Sequence, residues 1–431
     1  METTLSFGNY PKLSNQKLNK YYCYNDLLNI GEIEGDILPY GLGKSYGDSC
    51  LIDGGTLLDI SGMNKFINYD EISGILTCYS GVTLADCIDF LLPRGRFLPV
   101  TPGTKYVTLG GAIANDVHGK NHHKAGTFGC HVTELELLRS DGTLLQCSNS
   151  INSELFAATI GGLGLTGIIT KVSFQTVECP GPIIESESIK FRTFEEFFDI
   201  TQNSENYNYT VAWVDTTKPG RGLYNRGNFA PKSRQKPYKS TNGKMLPFPL
   251  NIELINPLTV KAFNTLYYNK QLSRIKKADV SFEPFFYPLD AVDGWNKAYG
   301  KKGFVQYQFV IPFDNYINVL KEIFNLITRS KLSSFLTVLK TFGNIKSPGM
   351  MSFPREGVTL AIDFKMIGDA LLKILDESDN IVKSVGGVVY PCKDARMSPE
   401  NFKVFYPQWT DFANYIDPKF SSTFWKRVTK E

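Results

Sequence analysis

The chain has 431 residues, of which 42% are hydrophobic and 21% charged, with a net charge of +3 at pH 7. That length accommodates about two or three domains with sizeable cores, and the composition is that of a soluble globular protein. So small a charge excess argues against a nucleic-acid partner, and no run approaches the roughly 20 apolar residues that span a bilayer. The N-terminus, METTLSFGNYPKLSNQKL, has no apolar signal core, so a cytoplasmic location is expected. The eight cysteines form no CxxC pair, which disfavours a zinc ribbon or a disulfide framework and predicts reduced thiols.

Residues 37–47, ILPYGLGKSYG, read as a short strand entering a glycine turn. The spacing Gly41-x-Gly43-x-x-x-Gly47 misses the dinucleotide fingerprint GxGxxG by one residue, and turn and strand follow it instead of a helix, so a Rossmann fold is not expected. Leu57 to Ile60 and Gly74 to Tyr79 read as strands. Thr83 caps a helix carrying Leu84, Cys87, Ile88 and Leu91 on one side, with Pro93 expected to stop it.

The stretch from Pro102 to His131, PGTKYVTLGGAIANDVHGKNHHKAGTFGCH, holds all four histidines of the chain. Its glycines let main-chain N–H groups approach a ligand without a Cβ in the way, which suits a pyrophosphate. Clustered histidines suggest a metal, but HGKNHH supplies neither HExxH nor CxxC spacing, so no metal is expected. The plainer alternative is a glycine-rich surface loop with structural histidines.

Thr133 to Arg139 and Gly142 to Cys147 read as a hairpin about Ser140-Asp141-Gly142. Ser153 reads as the N-cap of a short helix, SELFAATI, and GIITKVSFQTV as a half-buried strand closing an α+β domain near residue 180. Cys179-Pro180-Gly181-Pro182 marks a boundary. Thr193 to Glu196 fits a capping box opening the helix FEEFFDI, with YTVAWVD a strand after it. Residues 226–249 change character. Lys232 to Lys244 holds five basic residues and no acidic one, which predicts a mobile basic loop.

From Phe304 the order is strand FVQYQFVI, helix Asp314 to Arg329, strands SFLTVLKTF and VTLAIDF, a helix around Ala370 to Val382 and strand GGVVY, a β-α-β-β-α-β unit. Ile317, Leu320, Phe324 and Ile327 mark the buried stripe of the first helix. A sheet covered by helices on one face leaves the other free to lie over a ligand. The aromatic-rich C-terminal tail is expected to dock back on the first domain.

GLGKSYGD, PGTKYVTLGGAIANDVHGKNHH with AGTFGCHV, and GGLGLTGII, in that order, resemble the FAD-binding domain of the vanillyl-alcohol-oxidase type. Within that superfamily HGKNHH, FVQYQFVIP, VLKTFG and CKDAR followed by FYP resemble the decaprenylphosphoryl-β-D-ribose 2-oxidase family. The resemblance implies an α+β, two-domain fold: an FAD-binding domain from 1–182 and 388–431, and an antiparallel-sheet substrate (cap) domain from 183–387. By motif position it implies that Gly41, Gly43, Lys44, Ser45, Tyr46, Gly103, Thr104, Thr108, Gly110, Gly111, Ala114, His118, Gly164, Ile168 and Tyr390 line the FAD. Tyr46, His118, Lys120, Gln306, Gln308, Lys340 and Lys393 would line the substrate pocket. Mycobacterial members carry a cysteine where this chain has Ala361, and asparagines where it has Thr359 and Leu163. Those departures bear on fine substrate contacts more than on cofactor binding.

Oxidation of a secondary alcohol moves a hydride from carbon and a proton from oxygen. A lysine at the flavin edge stabilises the negative charge that develops, and a neutral lysine or a histidine takes the proton. Lys393 is expected to be that cation, Lys120 to hold a substrate phosphate or hydroxyl, and Tyr46 and His118 to orient the flavin edge. Gln306 and Gln308, two apart on a strand, face one side and suit a sugar, although a solvated strand face fits the same alternation. The implied activity is oxidation of the 2-hydroxyl of a polyprenyl-phosphoryl ribose, the first half of an epimerisation to arabinose that feeds cell-wall arabinan. A keto-reductase partner, non-covalent FAD and peripheral contact with the inner face of the membrane go with it. A sugar or aldonolactone oxidase of the same fold is the alternative, and a non-catalytic flavin-binding protein is another.

Overall fold

The structure, a computed structural model, describes residues 6–238, 244–245 and 255–430. In the glycine-rich half, Thr56–Asp59 pairs in parallel with Lys17–Lys20 on one side and Ile37–Tyr40 on the other. A five-stranded antiparallel sheet runs in the order Phe66–Asp70, Ile75–Tyr79, Ile168–Gln175, Val132–Leu138, Leu144–Ser148. Leu84–Leu91 is capped by Thr83, whose Oγ1 accepts from the Asp86 N–H at 3.1 Å while the Asp86 carboxylate accepts from the Thr83 N–H at 3.0 Å. The exchange satisfies two helix-start donors at once. Pro93 does not end the helix. It sits in the first turn of a tightened continuation, Leu92–Arg94, where no N–H is needed, and Gly95 with φ +72° makes the stop. Ser153 is the first residue of Ser153–Thr159 and not its cap, a place taken by Asn152 in the left-handed region.

The rest of the chain is dominated by an eight-stranded antiparallel sheet in the order Ile275–Ser281, Ile183–Phe191, Gly222–Phe229, Tyr209–Val214, Thr337–Phe342, Gly357–Lys365, Phe304–Ile311, Val388–Val389. The last four strands are the β-α-β-β-α-β unit read from the sequence, and the first four repeat its strand order. The two halves join along Tyr209–Val214 and Thr337–Phe342. The chain stays in this sheet through Val389, two residues past 387.

Alternation sets the two faces. Val305, Tyr307, Phe309 and Ile311 point to the main core, where Tyr316–Arg329 buries Val319, Leu320, Ile323, Phe324 and Ile327. At about 2 kcal/mol per side chain that stripe contributes on the order of 10 kcal/mol before entropy is counted. Ile317, expected in the stripe, is only half-buried.

Two further expectations change. Residues 226–229 are not loop but the end of Gly222–Phe229, and Arg234 is held by Glu185 at 2.7 Å and Asp279 at 2.9 Å. The parts of the expected mobile loop at 239–243 and 246–249 lie outside the described residues. The C-terminal segment returns to the first half as expected: Lys419 O accepts from Ile37 N–H at 2.9 Å and Leu51 O from Thr423 N–H at 2.8 Å.

Asp379 joins three layers of this arrangement. Fully buried on the helix Asp369–Ser384, it accepts from Tyr307 of the sheet at 2.9 Å, from Arg396 at 2.6 and 2.8 Å, and from Asn401 at 3.3 Å. Asp379→Ala leaves a buried guanidinium short of its main partner, so urea unfolding is expected to show a loss of about 3 kcal/mol.

Candidate active site

A cavity of about 590 Å³ lies between the face of the large sheet that its core helices leave free and the glycine-rich segments of the first half. The sheet contributes Gln306 and Gln308 from one strand, Lys340 from a second, and Thr359 and Ala361 from the strand between them. The register sets Gln308 opposite Ala361 and Lys340 opposite Thr359. The loop Gly41 to Tyr46 and the stretch from Thr101 to Lys120 form the facing wall, and Tyr390, Cys392 and Lys393 close one end.

That closure is built by close backbone approach. The Tyr46 N–H donates to Cys392 O at 3.0 Å, and a Cβ on Gly47 would stand 1.6 Å from the carbonyl oxygen of Asp394, so no side chain is tolerated there. Lys393 Nζ consequently lies 3.7 Å from the centre of the Tyr46 ring, an arrangement in which the ring face attracts the ammonium. Burial lowers the Lys393 pKa, while Cys392 and Asp363 oppose the shift. Asp363, fully buried, accepts from Gln306 Nε2 at 2.5 Å, and burial pushes its carboxyl up to about 7.

His118 is neutral. Burial takes its pKa well below the usual value, with Lys340, His122 and Lys393 adding repulsion. The Gln308 amide donates to its Nε2 at 3.0 Å, which leaves the proton on Nδ1. Its ring packs against Phe342, Phe353 and Tyr390. Tyr390 is fixed by a 2.6 Å hydrogen bond to Asn115 O and by stacking on Phe353. Two more lysines face the same space. Lys340 donates to Gly119 O at 3.3 Å and Lys120 to Phe285 O, and burial brings both pKa values down to about 7.

The wall fits a flavin dinucleotide. A Cβ on Gly103 would meet nothing within 4 Å, so protein packing does not demand a glycine there and the backbone stays open to an occupant of the cavity. Thr108 caps Leu109–Ala114, and Gly110 and Gly111 line the cavity with no Cβ in the way. The N–H groups of Leu109, Gly110 and Gly111 donate to Val82 O, Ser80 O and Thr108 Oγ1, so what this segment offers a pyrophosphate is close approach to bare backbone and not free N–H groups. Residues 41–46, Gly164 and Tyr390 extend the same wall, enough to hold the rest of a long cofactor.

Of the residues named from the sequence, all but Ile168 lie on the cavity wall. The Ile168 side chain is buried with Leu27, Ile37 and Leu138 in a separate cluster, and its neighbours Gly167 and Ile169 line the cavity instead. Period two along a strand makes a one-residue error a change of face. Asp363 was missed, although Thr359, Ala361 and Asp363 alternate in VTLAIDF and Asp363 pairs with Gln306 across the sheet. Also missed was an apolar arm of the cavity lined by Trp213, Tyr267, Val280, Phe285, Leu289 and Val292. No sequence pattern joins those residues. Among the described residues no cluster of histidine, cysteine and carboxylate side chains could hold a metal.

Comparison with known proteins agrees with this geometry. Residues 32–148 match the family described as FAD binding domain. The chain is 32% identical over 137 residues to L-gulonolactone oxidase of Mus musculus, covering 32% of this chain and 31% of that one. It is 34% identical over 121 residues to a putative D-arabinono-1,4-lactone oxidase of Neurospora crassa, covering 28% and 22%. Those matches span less than a third of the chain. By contrast, identity to decaprenylphosphoryl-β-D-ribose oxidase of Mycolicibacterium smegmatis is 36% over 403 residues, covering 89% of this chain and 86% of that one. With a long glycine-rich wall, a sheet face bearing two glutamines, three half-buried lysines around them, and similarity over nearly its whole length, the chain belongs to the decaprenylphosphoryl-β-D-ribose oxidase family of FAD-dependent oxidoreductases.

Proposed function

We propose that this oxidoreductase acts on the 2-hydroxyl of a polyprenyl-phosphoryl β-D-ribose, giving a 2-keto sugar that a separate keto-reductase converts to the arabinose epimer. The observation that carries the reading is one cavity holding a polar sheet face, three half-buried lysines and an apolar arm. Those three parts match a sugar, a phosphate and the first units of a prenyl chain. A bound FAD supplies the acceptor for the carbon-bound hydrogen. Gln306 and Gln308 hold ring hydroxyls, Lys120 holds the phosphate beside the apolar arm, and Lys393 keeps a positive charge at the end of the cavity where negative charge develops. Lys340, whose pKa near 7 leaves a neutral fraction at neutral pH, takes the hydroxyl proton on Nζ.

The flavin is held without a covalent link in this reading. The loop GLGKSYGD offers Lys44, Ser45 and Tyr46 and no histidine or cysteine, and His118 is engaged with Gln308. The protein meets the membrane peripherally at its inner face. Among the described residues no helix is long and apolar enough to cross a bilayer, and the apolar tail of such a substrate does not leave the lipid cheaply.

Incubation of the purified chain with synthetic short-chain prenyl-phosphoryl ribose and a dye acceptor is expected to give a product two mass units lighter, and acid precipitation to leave the yellow colour in the supernatant. An unchanged sugar overturns the substrate assignment, and colour in the pellet overturns the non-covalent one. Lys393→Met is expected to lower turnover by about 10²-fold, as loss of a preorganised charge does, with flavin absorbance retained on the protein. Turnover near that of the unaltered chain would move the role elsewhere. The two lysines near 7 also set a pH profile. Lys340 must be neutral, so kcat/KM rises toward pH 7 from the acid side. Lys120 must be charged to hold the phosphate, so KM rises as pH passes 7. Lys120→Gln is expected to remove the alkaline limb alone, and an unaltered limb would show that another group holds the phosphate.

A further inference from the structure

We propose that the helix Pro257–Asn269 and the turn after it dock the protein on an anionic lipid surface, so that the cavity opens against the membrane. This rests on the reading that the substrate is lipid-linked, and it names the face of the protein that meets the lipid. Asn256 caps the helix with its side chain on the N–H groups of Leu258 and Thr259, and Pro257 begins it. Val260, Asn264 and Tyr268, spaced by four, are its buried side. Asn264 donates to Asp215 at 2.9 Å and to Ser334 O at 3.1 Å, which fixes the helix against the sheet. Tyr267, on the same helix, lines the apolar arm and lies 4.8 Å from Trp213 between ring centres.

The opposite side is apolar and open. Leu258 is 79% exposed and Leu266 71%, eight residues apart on one face with Ala262 between them. Phe263 is 45% exposed, and Leu272 just past the helix 96%. The other long helices of this half expose polar and charged groups instead: Asn318, Lys321, Glu322 and Asn325 on one, Lys373, Asp376, Glu377 and Asn380 on another. Exposed cations lie near this helix at Lys261, Lys270, Arg274 and Lys276, whereas Lys277, the next residue of the edge strand, points the other way and pairs with Glu187 at 3.7 Å. The one acidic residue between 257 and 280 is Asp279, which is paired with Arg234.

Leucines able to enter the acyl boundary, with cations around them for anionic headgroups, make the composition of an interfacial helix. A second copy of the chain would bring like charges together on that face, which disfavours a self-association. The helix therefore reaches the cavity through Tyr267 and presents its apolar side to lipid, a placement that suits a lipid-tailed substrate.

The test is co-sedimentation of the full-length flavin-loaded chain with vesicles of phosphatidylcholine alone and of phosphatidylcholine mixed with phosphatidylglycerol. Binding is expected to the mixed vesicles and to fall with salt. Combined Leu258→Ser, Leu266→Ser and Leu272→Ser is expected to weaken it at least about tenfold, and Lys261→Gln with Lys276→Gln by roughly 30-fold at low salt. Both variants should retain turnover on a water-soluble short-chain substrate. Vesicle binding equal to that of the unaltered chain in both variants overturns the proposal, as does a dimer in solution that the leucine substitutions disperse. Vesicle binding that behaves as expected while the unaltered chain fails to oxidise the short-chain substrate supports the docking face and counts against the substrate assignment alone.

Discussion

Arg427 holds together the parts on which the site depends. From the last helix of the chain it donates to both carboxylate oxygens of Asp48, at 3.0 and 2.7 Å, to Asp394 at 3.0 Å and to Met397 O at 2.5 Å. Asp48 follows the glycine turn that forms one cavity wall, and Asp394 follows Lys393. Both carboxylates are almost wholly buried, so each needs this partner, and removing it would strand charge in the interior. The bidentate geometry also fixes orientation, which a lysine in the same place would not.

The same logic of burial governs the cavity. Lys120, Lys340 and Lys393, each half-buried, line the cavity with their pKa values lowered by desolvation, and Asp363 is the nearby carboxyl that partly offsets Lys393. Such an assembly is unfavourable when empty of anions, since each charge is desolvated and repelled by the others. It becomes favourable when a phosphate enters, so the affinity of the site for negative charge follows from the cost of its own residues.

What was legible in the sequence was whatever a local pattern carries. The alternation of FVQYQFVI gave both the strand and the split between Tyr307 in the core and Gln306 and Gln308 on the ligand face. Thr83 with Asp86 announced a helix start, and the glycine motifs announced a wall for a dinucleotide. The first half of the large sheet was less visible. Gly222–Phe229, GLYNRGNF, does not alternate, and the edge strand Ile275–Ser281, IKKADVS, is mostly exposed, so neither shows the hydrophobic signature of a strand. Arg427, Asp379 and Asp363 were invisible for another reason. Their partners lie far away in the chain, and no spacing announces a contact that only the tertiary fold creates. Ile168 shows the limit within a recognised strand, since its side chain faces a separate core while its neighbours Gly167 and Ile169 lie on the cavity wall.

The approach of Gly47 to Asp394 has a temporal side. A ribosome releases the glycine turn nearly 350 residues before the segment that closes over it. Until Tyr390 to Lys393 and then Arg427 have emerged, the wall for the dinucleotide lacks its end, and the buried Asp48 lacks its counter-charge. Closure of that wall in this way waits on residues far along the chain. A chain arrested before its last helix carries the sequence motifs of a flavoprotein without the enclosure that makes one.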